Sequence, residues 1–159
     1  LKFAPLPGLD LGRTWRWAQG GSGQLVEFLT PAFGEETIRE LPALGVSAQA
    51  LNYLNFLIAE PIHAAAIYRS GVLVQIPRPE RYAIHKLIIA DRRRDGAGSL
   101  KASKDREQAA FLIEAMAEDR PDDLRRAYAT AMDVGPRWRE HIANSLKRMH
   151  NTMNTLNSI

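Results

Sequence analysis

The 159-residue sequence contains no cysteine. This absence excludes a disulfide scaffold, a zinc site built from thiolates and a cysteine nucleophile. The sequence also contains no apolar run of the ~18 residues needed to span a bilayer. Pro5, Pro7 and Gly8 interrupt the apolar residues at the N-terminus, so no secretory signal peptide is predicted. We therefore expect a cytoplasmic protein that has no membrane partner.

Neither sign of charge dominates. The 21 Lys and Arg residues barely exceed the 18 Asp and Glu residues, and the formal net charge is +3. This balance permits an anionic partner without predicting nucleic acid. The hydrophobic share of 45% is ordinary for a folded chain, and the length fits one domain or one domain with two lobes. Because the chain starts with Leu1 rather than Met, it fits a piece of a longer protein.

The composition changes at residues 77–79, where two prolines flank an arginine. Before this point, short β-like runs alternate with Gly and Pro, whereas the residues after it follow a helical spacing almost to the end. We predict an α+β fold. A partial antiparallel or mixed sheet lobe (1–77) is expected to precede a helical lobe (78–159) of about four helices.

The first lobe is predicted to contain two β hairpins, because apolar β-rich runs flank Gly-containing turns. Spacing by three and four between the hairpins predicts a helix. The predicted elements are strands at 13–18 and 24–30 (the latter ended by Pro31), an irregular segment at 31–46, a helix capped by Ser47 that contains Ala50, Leu51, Leu54 and Ile58, and strands at 62–69 and 72–76.

The second lobe is predicted from helix start signals and apolar stripes. The predicted elements are a helix at 79–94 opened by Pro79, a flexible loop at 95–99, a helix capped by Ser103, a helix opened by Pro121, and one last helix whose stripe is Trp138, Ile142, Leu146, Met149, Met153 and Leu156.

Glu27 is the first candidate for chemistry. Strand alternation places it on one face with Leu25 and Leu29. A carboxylate among apolar side chains is costly when it is buried without a partner. Glu27 is therefore either a metal ligand at the active edge of a sheet or a water-facing residue of an edge strand.

Lys86 interrupts the most apolar helix of the sequence, which is apolar almost all round and therefore predicted to be central. Its ammonium either reaches the surface along its own aliphatic stem or holds a buried anion such as phosphate. His85 is interpreted as a structural histidine. The arginine run 92–94 either caps the helix end or faces phosphate, and the helical spacing places Arg93 on the side of Lys86.

Asp105 is expected in the first turn of the following helix. There it either interacts with the helix dipole or lies near Lys86 and orients that side chain. The spacing of residues in the sequence does not distinguish these two interpretations.

Three segments together resemble a bacterial nucleotidyltransferase-like family. This family is related to the polymerase-β-type nucleotidyltransferases and to toxins of abortive-infection systems. The resemblance covers about residues 13–118, the C-terminal two-thirds of the family pattern. Its segments are QLVEFLTP (24–31), VQIPRPERYAIHKLIIA (74–90) with the arginine run after it, and KASKDREQA (101–109).

The resemblance implies a mechanism and a set of site residues. The enzymes transfer a nucleoside monophosphate from an NTP to an acceptor with two Mg²⁺ ions, so the chemistry depends on positioning and charge neutralisation. The implied roles are metal binding for Glu27, triphosphate binding for Lys86, Arg92, Arg93 and Lys104, and orientation of Lys86 by Asp105, with Glu27, Lys86 and Asp105 as the catalytic set.

The sequence departs from the family pattern in one respect. That pattern begins with a Gly-Ser turn followed by two carboxylates separated by one residue, and neither Gly21-Ser22 nor Gly98-Ser99 is followed by such a pair. Either the catalytic strand lies upstream of this sequence or the protein is a non-catalytic relative. Both explanations predict that residues 1–159 alone do not transfer nucleotides.

An alternative function is a binding module. The last helix carries basic residues away from its apolar stripe, and they could dock a protein or RNA; they are Arg137, Arg139, Lys147 and Arg148. The acceptor of the enzyme hypothesis is open among tRNA, protein and a small molecule. An exposed sheet edge could also support a homo-oligomer. The enzyme hypothesis requires Glu27 and Lys86 to face one cleft.

Overall fold

The computed structural model describes residues 2–6, 13–67, 70–95 and 98–159. Parts of the predicted second hairpin (68–69) and of the predicted loop at 95–99 (96–97) lie outside these residues. The chain divides into two compact units, Leu1–Asn55 and Phe56–Ile159. Because the units reflect packing whereas the lobes 1–77 and 78–159 were defined from composition, the lobe assignment stays a prediction.

The first unit contains an antiparallel three-stranded sheet of strand order β1-β2-β3. Its strands are β1 (Phe3–Pro5), β2 (Arg16–Gln19) and β3 (Leu25–Glu27). The first predicted hairpin is confirmed, with Arg16 opposite Glu27. In its turn, Gly21 has φ +86° and Gly23 has φ +67°, a backbone region that favours glycine.

The same unit contains a second, mixed sheet of strand order β4-β6-β5. Its strands are β4 (Leu29–Ala32), β5 (Ile38–Leu41) and β6 (Val46–Asn52), with a short 3₁₀ helix (Pro42–Leu44) before β6. β4 runs parallel to β6, and β5 runs antiparallel to it. Pro31 does not end a strand but lies within β4, which is an edge strand and tolerates a missing N–H. The prediction of an irregular segment at 31–46 was wrong.

β6 replaces most of the predicted helix after Ser47. Ser47, Ala48 and Ala50 are buried in this central strand. Apolar residues three and four positions apart wrongly indicated a helix here. A strand that is buried on both faces does not show the alternation of apolar and polar residues that would identify it. The helix α1 is limited to Leu54–Ile58.

The second unit begins within α1, and an antiparallel hairpin and five helices follow, which confirms the predicted α+β fold and the second hairpin. Its elements are β7 (Ile62–Ala66), β8 (Val72–Ile76), α2 (Pro79–Arg92), α3 (Ser99–Asp119), α4 (Pro121–Asp133), α5 (Pro136–Leu146) and α6 (His150–Ser158).

Three of the predicted helices differ in their bounds, and α2 ends at Arg92 rather than at residue 94. α3 begins at Ser99, so Ser103 is not its cap and Asp105 lies in the second turn. The predicted last helix is two helices, α5 and α6. The backbone amides of Arg148 and Met149 donate hydrogen bonds to the carbonyls three residues before them, and this tighter turn ends α5. The apolar stripe of the sequence nevertheless continues past this turn.

α2 is the central helix of this unit, as its apolar sequence predicts, and it packs against α3, α4 and α5. Ile84, Leu87 and Ile88 are completely buried. Burial of one such side chain contributes about 1.5–3 kcal/mol. In the described part of the chain, no helix is both long and apolar enough to cross a membrane.

Candidate functional site

A buried carboxylate joins α2 to α3. The Asp105 side chain is only 4% exposed, and it accepts hydrogen bonds from two cations of α2. Lys86 Nζ lies 2.6 Å from Oδ1, and an Arg93 guanidinium nitrogen lies 2.7 Å from Oδ2. Each carboxylate oxygen therefore holds one cation, and the two cations are fixed side by side.

Helical spacing explains why Lys86 and Arg93 meet one carboxylate. They are seven residues apart, which is close to two turns, so both side chains leave the same side of α2. Tyr82 lies one turn before Lys86, and the Lys86 ammonium is 5.1 Å from its ring centre. This aromatic contact and the Asp105 hydrogen bond fix the ammonium, which has three N–H donors in total.

His85, next to Lys86 in the chain, is buried. Burial lowers the pKa of His85 to about 4, and the positive charge of Lys86 contributes in the same direction. Near neutral pH its imidazole is therefore uncharged, in agreement with a structural role. The charge of this part of α2 comes from the lysine and the arginines.

Three further polar residues are close in sequence to Lys86, Arg93 or Asp105. Arg92 and Lys104 are exposed. Gln108 lies one turn after Asp105 on α3, and its Oε1 is buried with no hydrogen-bond partner. The structure thus brings Lys86, Arg93 and Asp105 together, whereas their roles in catalysis or nucleotide binding, and those of Arg92 and Lys104, stay predictions.

Glu27 belongs to the first unit. It lies at the end of β3 and forms an ion pair of 3.0 Å with Arg16 across the hairpin. Leu29 belongs to the other sheet, so the predicted face shared by Leu25, Glu27 and Leu29 does not form. The convergence of Glu27 with Lys86 stays a prediction.

The family resemblance implies Mg²⁺, and the residues present can be tested for a fit. Among the described residues, no group of three or more His, Asp or Glu side chains could hold a metal ion. Glu27 is a single carboxylate already paired with an arginine, and Asp105 is paired with two cations. The described side chains therefore do not form a Mg²⁺ site by themselves.

A second buried carboxylate was missed by sequence reasoning. Asp91 Oδ2 accepts hydrogen bonds from His141 Nδ1 at 2.7 Å and from Asn144 at 3.4 Å, and Oδ1 accepts one from Arg94 at 3.1 Å. Burial raises the pKa of Asp91, but these hydrogen bonds outweigh burial and hold the pKa below its usual value. This cluster joins α2 to α5.

The position of Asp91 around the helix axis is the only feature of the sequence that indicates a buried carboxylate here. This residue lies one turn after Leu87 on the core-facing side of a helix, where a carboxylate needs partners. Two of its three partners, His141 and Asn144, lie about fifty residues further along the chain, whereas Arg94 lies three residues away. No local spacing connects residues so far apart.

The proposed docking face on α5 and the segment after it is exposed. All four of its basic residues reach solvent, namely Arg137, Arg139, Lys147 and Arg148. Exposure alone is also expected for an ordinary charged surface. The alternative function therefore stays a prediction.

Two cations held by one buried carboxylate form a site suited to binding an anion, such as the phosphates of a nucleotide. The model of a nucleotidyltransferase family matches residues 1–133, and the chain belongs to this family. No curated protein and no solved structure matches the chain. The predicted nucleotidyltransferase resemblance is confirmed at this level, and it supports a nucleotidyltransferase-like role with an NTP as substrate.

Proposed function

We propose that this chain supplies the triphosphate-binding part of a nucleotidyltransferase. Lys86 and Arg93 bind the phosphates of the NTP, and Asp105 positions both cations. The observation that carries this proposal is the buried Asp105 carboxylate with one cation on each oxygen. A flexible lysine and arginine would otherwise lose side-chain freedom each time they bind an anion.

The two cations keep N–H donors for a ligand. Lys86 Nζ uses one N–H for Asp105, and the guanidinium of Arg93 has five donors, one of which points to Asp105. The Arg93 side chain is 45% exposed, so an anion can reach it from solvent. Arg92 and Lys104, which are next to Arg93 and Asp105 in sequence and are exposed, are proposed as further contacts to the NTP.

The reaction follows from the chemistry of NTPs. A hydroxyl of the acceptor attacks the α-phosphorus in line, a new P–O bond forms, and the bond to the bridging oxygen of the leaving group breaks. Pyrophosphate carries away the electron pair, and the acceptor proton passes to solvent or a base. Lys86 and Arg93 neutralise the charge that develops on the phosphate oxygens.

Two Mg²⁺ ions are part of the proposal only where further carboxylates complete a metal site. Metal binding there needs carboxylates in addition to Glu27, as the family pattern of two closely spaced acidic residues suggests. Either those carboxylates lie upstream of this sequence or the protein is a non-catalytic relative. In both cases the 1–159 chain should bind an NTP without transferring it.

Nucleotide binding tests the proposed role of Lys86. The affinity of the 1–159 chain for each of the four NTPs is measured by calorimetry, and Lys86→Ala and Arg93→Ala should each weaken binding by about tenfold or more. Lys147→Ala removes an exposed lysine directly after α5 and serves as the matched control. Equal affinity in the wild type and Lys86→Ala would overturn the proposal, and a loss only in Lys147→Ala would favour the binding module.

Transfer is tested separately. The chain is incubated with α-labelled NTP, magnesium and either tRNA or a protein extract, and no labelled product is expected. Labelled tRNA or protein made by the purified 1–159 chain would refute this expectation.

A relation to abortive-infection toxins and a homo-oligomer formed through a sheet edge also belong to the proposal; size-exclusion chromatography tests the oligomer.

A further inference from the structure

A polar cleft lies beside the start of α2 in the second unit (Phe56–Ile159), which is called the helical unit below. It has a volume of about 540 Å³, which is within the range of small-molecule sites. α2, α4 and the loop after α1 contribute its lining. The charged lining residues are Glu60, Arg78, Glu80, Arg81, Asp123 and Arg126.

Glu80 is the unusual member of this lining. It is only 4% exposed, yet its carboxylate lacks a close hydrogen-bond donor. Oε1 lies 3.5 Å from an Arg78 guanidinium nitrogen, and Oε2 has no hydrogen-bond partner. A buried carboxylate oxygen without a donor is strongly disfavoured, so the site lacks a donor that would satisfy it. Glu80 is one of the residues that line the cleft, so its carboxylate belongs to the cleft wall.

The arginines around Glu80 are held in place. Arg78 Nε donates to the Glu60 carbonyl at 3.0 Å, and an Arg81 nitrogen donates to the Glu60 carboxylate at 3.0 Å. Arg126 pairs with Asp123, three residues before it on α4. Each guanidinium keeps further N–H groups after these contacts.

The charges of the cleft cancel, with three guanidinium groups against three carboxylates. A polyanion such as a nucleoside triphosphate would be repelled by the carboxylates. A ligand that carries one charge of each sign and no net charge fits this pattern, because it satisfies Glu80 and an arginine together.

The cleft is also distinct from the Lys86 site. Glu80 and Lys86 are six residues apart on α2, which separates their directions around the helix axis by about 120°. Lys86 contacts α3, whereas Glu80 lines a cleft shared with α4.

We propose that this cleft binds a small zwitterion of the α-amino-acid class. Its ammonium group donates hydrogen bonds to the Glu80 carboxylate, and its carboxylate accepts them from Arg126 and a neighbouring arginine of α2. The proposal does not depend on nucleotide transfer.

Calorimetric titration of the 1–159 chain tests it, with each standard L-amino acid used singly as the probe. At least one should bind, and Glu80→Gln should weaken that binding by about tenfold or more. The methyl ester of the same amino acid lacks the carboxylate and its N-acetyl form lacks the ammonium, and both should bind at least about tenfold more weakly.

Arg126→Ala provides a second variant at an exposed position, so a folding defect at Glu80 does not decide the result. Its matched control is Arg125→Ala, because Arg125 pairs with Asp122 in the same i, i+3 arrangement but does not line the cleft. Binding should weaken in Arg126→Ala and stay unchanged in Arg125→Ala. Absence of binding by every amino acid, equal binding of the ester or acetylated form, or equal losses in the two arginine variants would overturn the proposal.

Discussion

Replacement of Asp105 by asparagine tests the ion cluster between α2 and α3. The substitution keeps the shape of the side chain and removes the charge that holds Lys86 and Arg93. A hydrogen bond between charged groups contributes about 1.5–3 kcal/mol, which applies to the Lys86 bond because Lys86 is only 17% exposed. Arg93 is 45% exposed, so solvent screening limits its pair to about 0.5–1 kcal/mol.

Because asparagine keeps one acceptor oxygen, part of this interaction survives in Asp105→Asn. We expect the free energy of unfolding to fall by about 2–3 kcal/mol. In a chain of this size, such a change lowers the melting temperature by roughly 5–10 °C. Urea denaturation followed by circular dichroism at neutral pH measures the change.

The matched control is Asp122→Asn, which removes the exposed i, i+3 partner of Arg125. Its effect should stay within about 0.5 kcal/mol. A double-mutant cycle with Lys86→Met should then give a coupling of about 1–3 kcal/mol between Lys86 and Asp105. Equal stability of Asp105→Asn and the control, or a coupling near zero, would refute the reasoning.

Three further predictions concern the interior of the helical unit. Burial, and then the charge of Lys86, lowers the pKa of His85 to about 4. The unfolded chain therefore binds a proton that the folded chain does not, and stability should fall by about 2 kcal/mol between about pH 7 and pH 5. His85→Gln should remove this part of the pH dependence in urea titrations; an unchanged slope would contradict it. Asp91→Asn should cost about 2 kcal/mol in urea denaturation, because the carboxylate accepts three hydrogen bonds, and a neutral effect would argue against this cluster. Ser145→Ala should cost about 1 kcal/mol in the same assay, because Ser145 Oγ donates to the buried Leu87 carbonyl at 2.6 Å; a more stable variant would disprove that contribution.

The helical unit was easier to predict from sequence than the first unit. Pro79 and the apolar residues around Lys86 define α2, because a fully buried helix must be apolar all round. Spacing alone places Arg93 beside Lys86. In the first unit, the spacing predicts a helix where β6 lies, because Ser47, Ala48 and Ala50 are small residues whose burial depends on the strands on either side.

The candidate site was predictable only in part, because some of its contacts also come from elements that are distant in the sequence. Asp105 was a candidate partner of Lys86 as one of two interpretations of its place near the start of a helix, and the family resemblance implied the same role. Asp91 and Glu80 were not candidates, since an essential part of each environment comes from a helix far along the chain, α5 for Asp91 and α4 for Glu80. A carboxylate on the core side of a helix is a signal that sequence analysis can use in such cases.

The helical spacing of α2 places a strict limit on insertions and deletions. One extra residue between Lys86 and Asp91 would rotate everything after it by about 100° and advance it by about 1.5 Å. Arg93 would then leave the Asp105 side, and Asp91 would turn away from His141, so both clusters would be lost in a single event. Both ion clusters therefore depend on the number of residues between Lys86 and Asp91 as well as on the charged residues themselves.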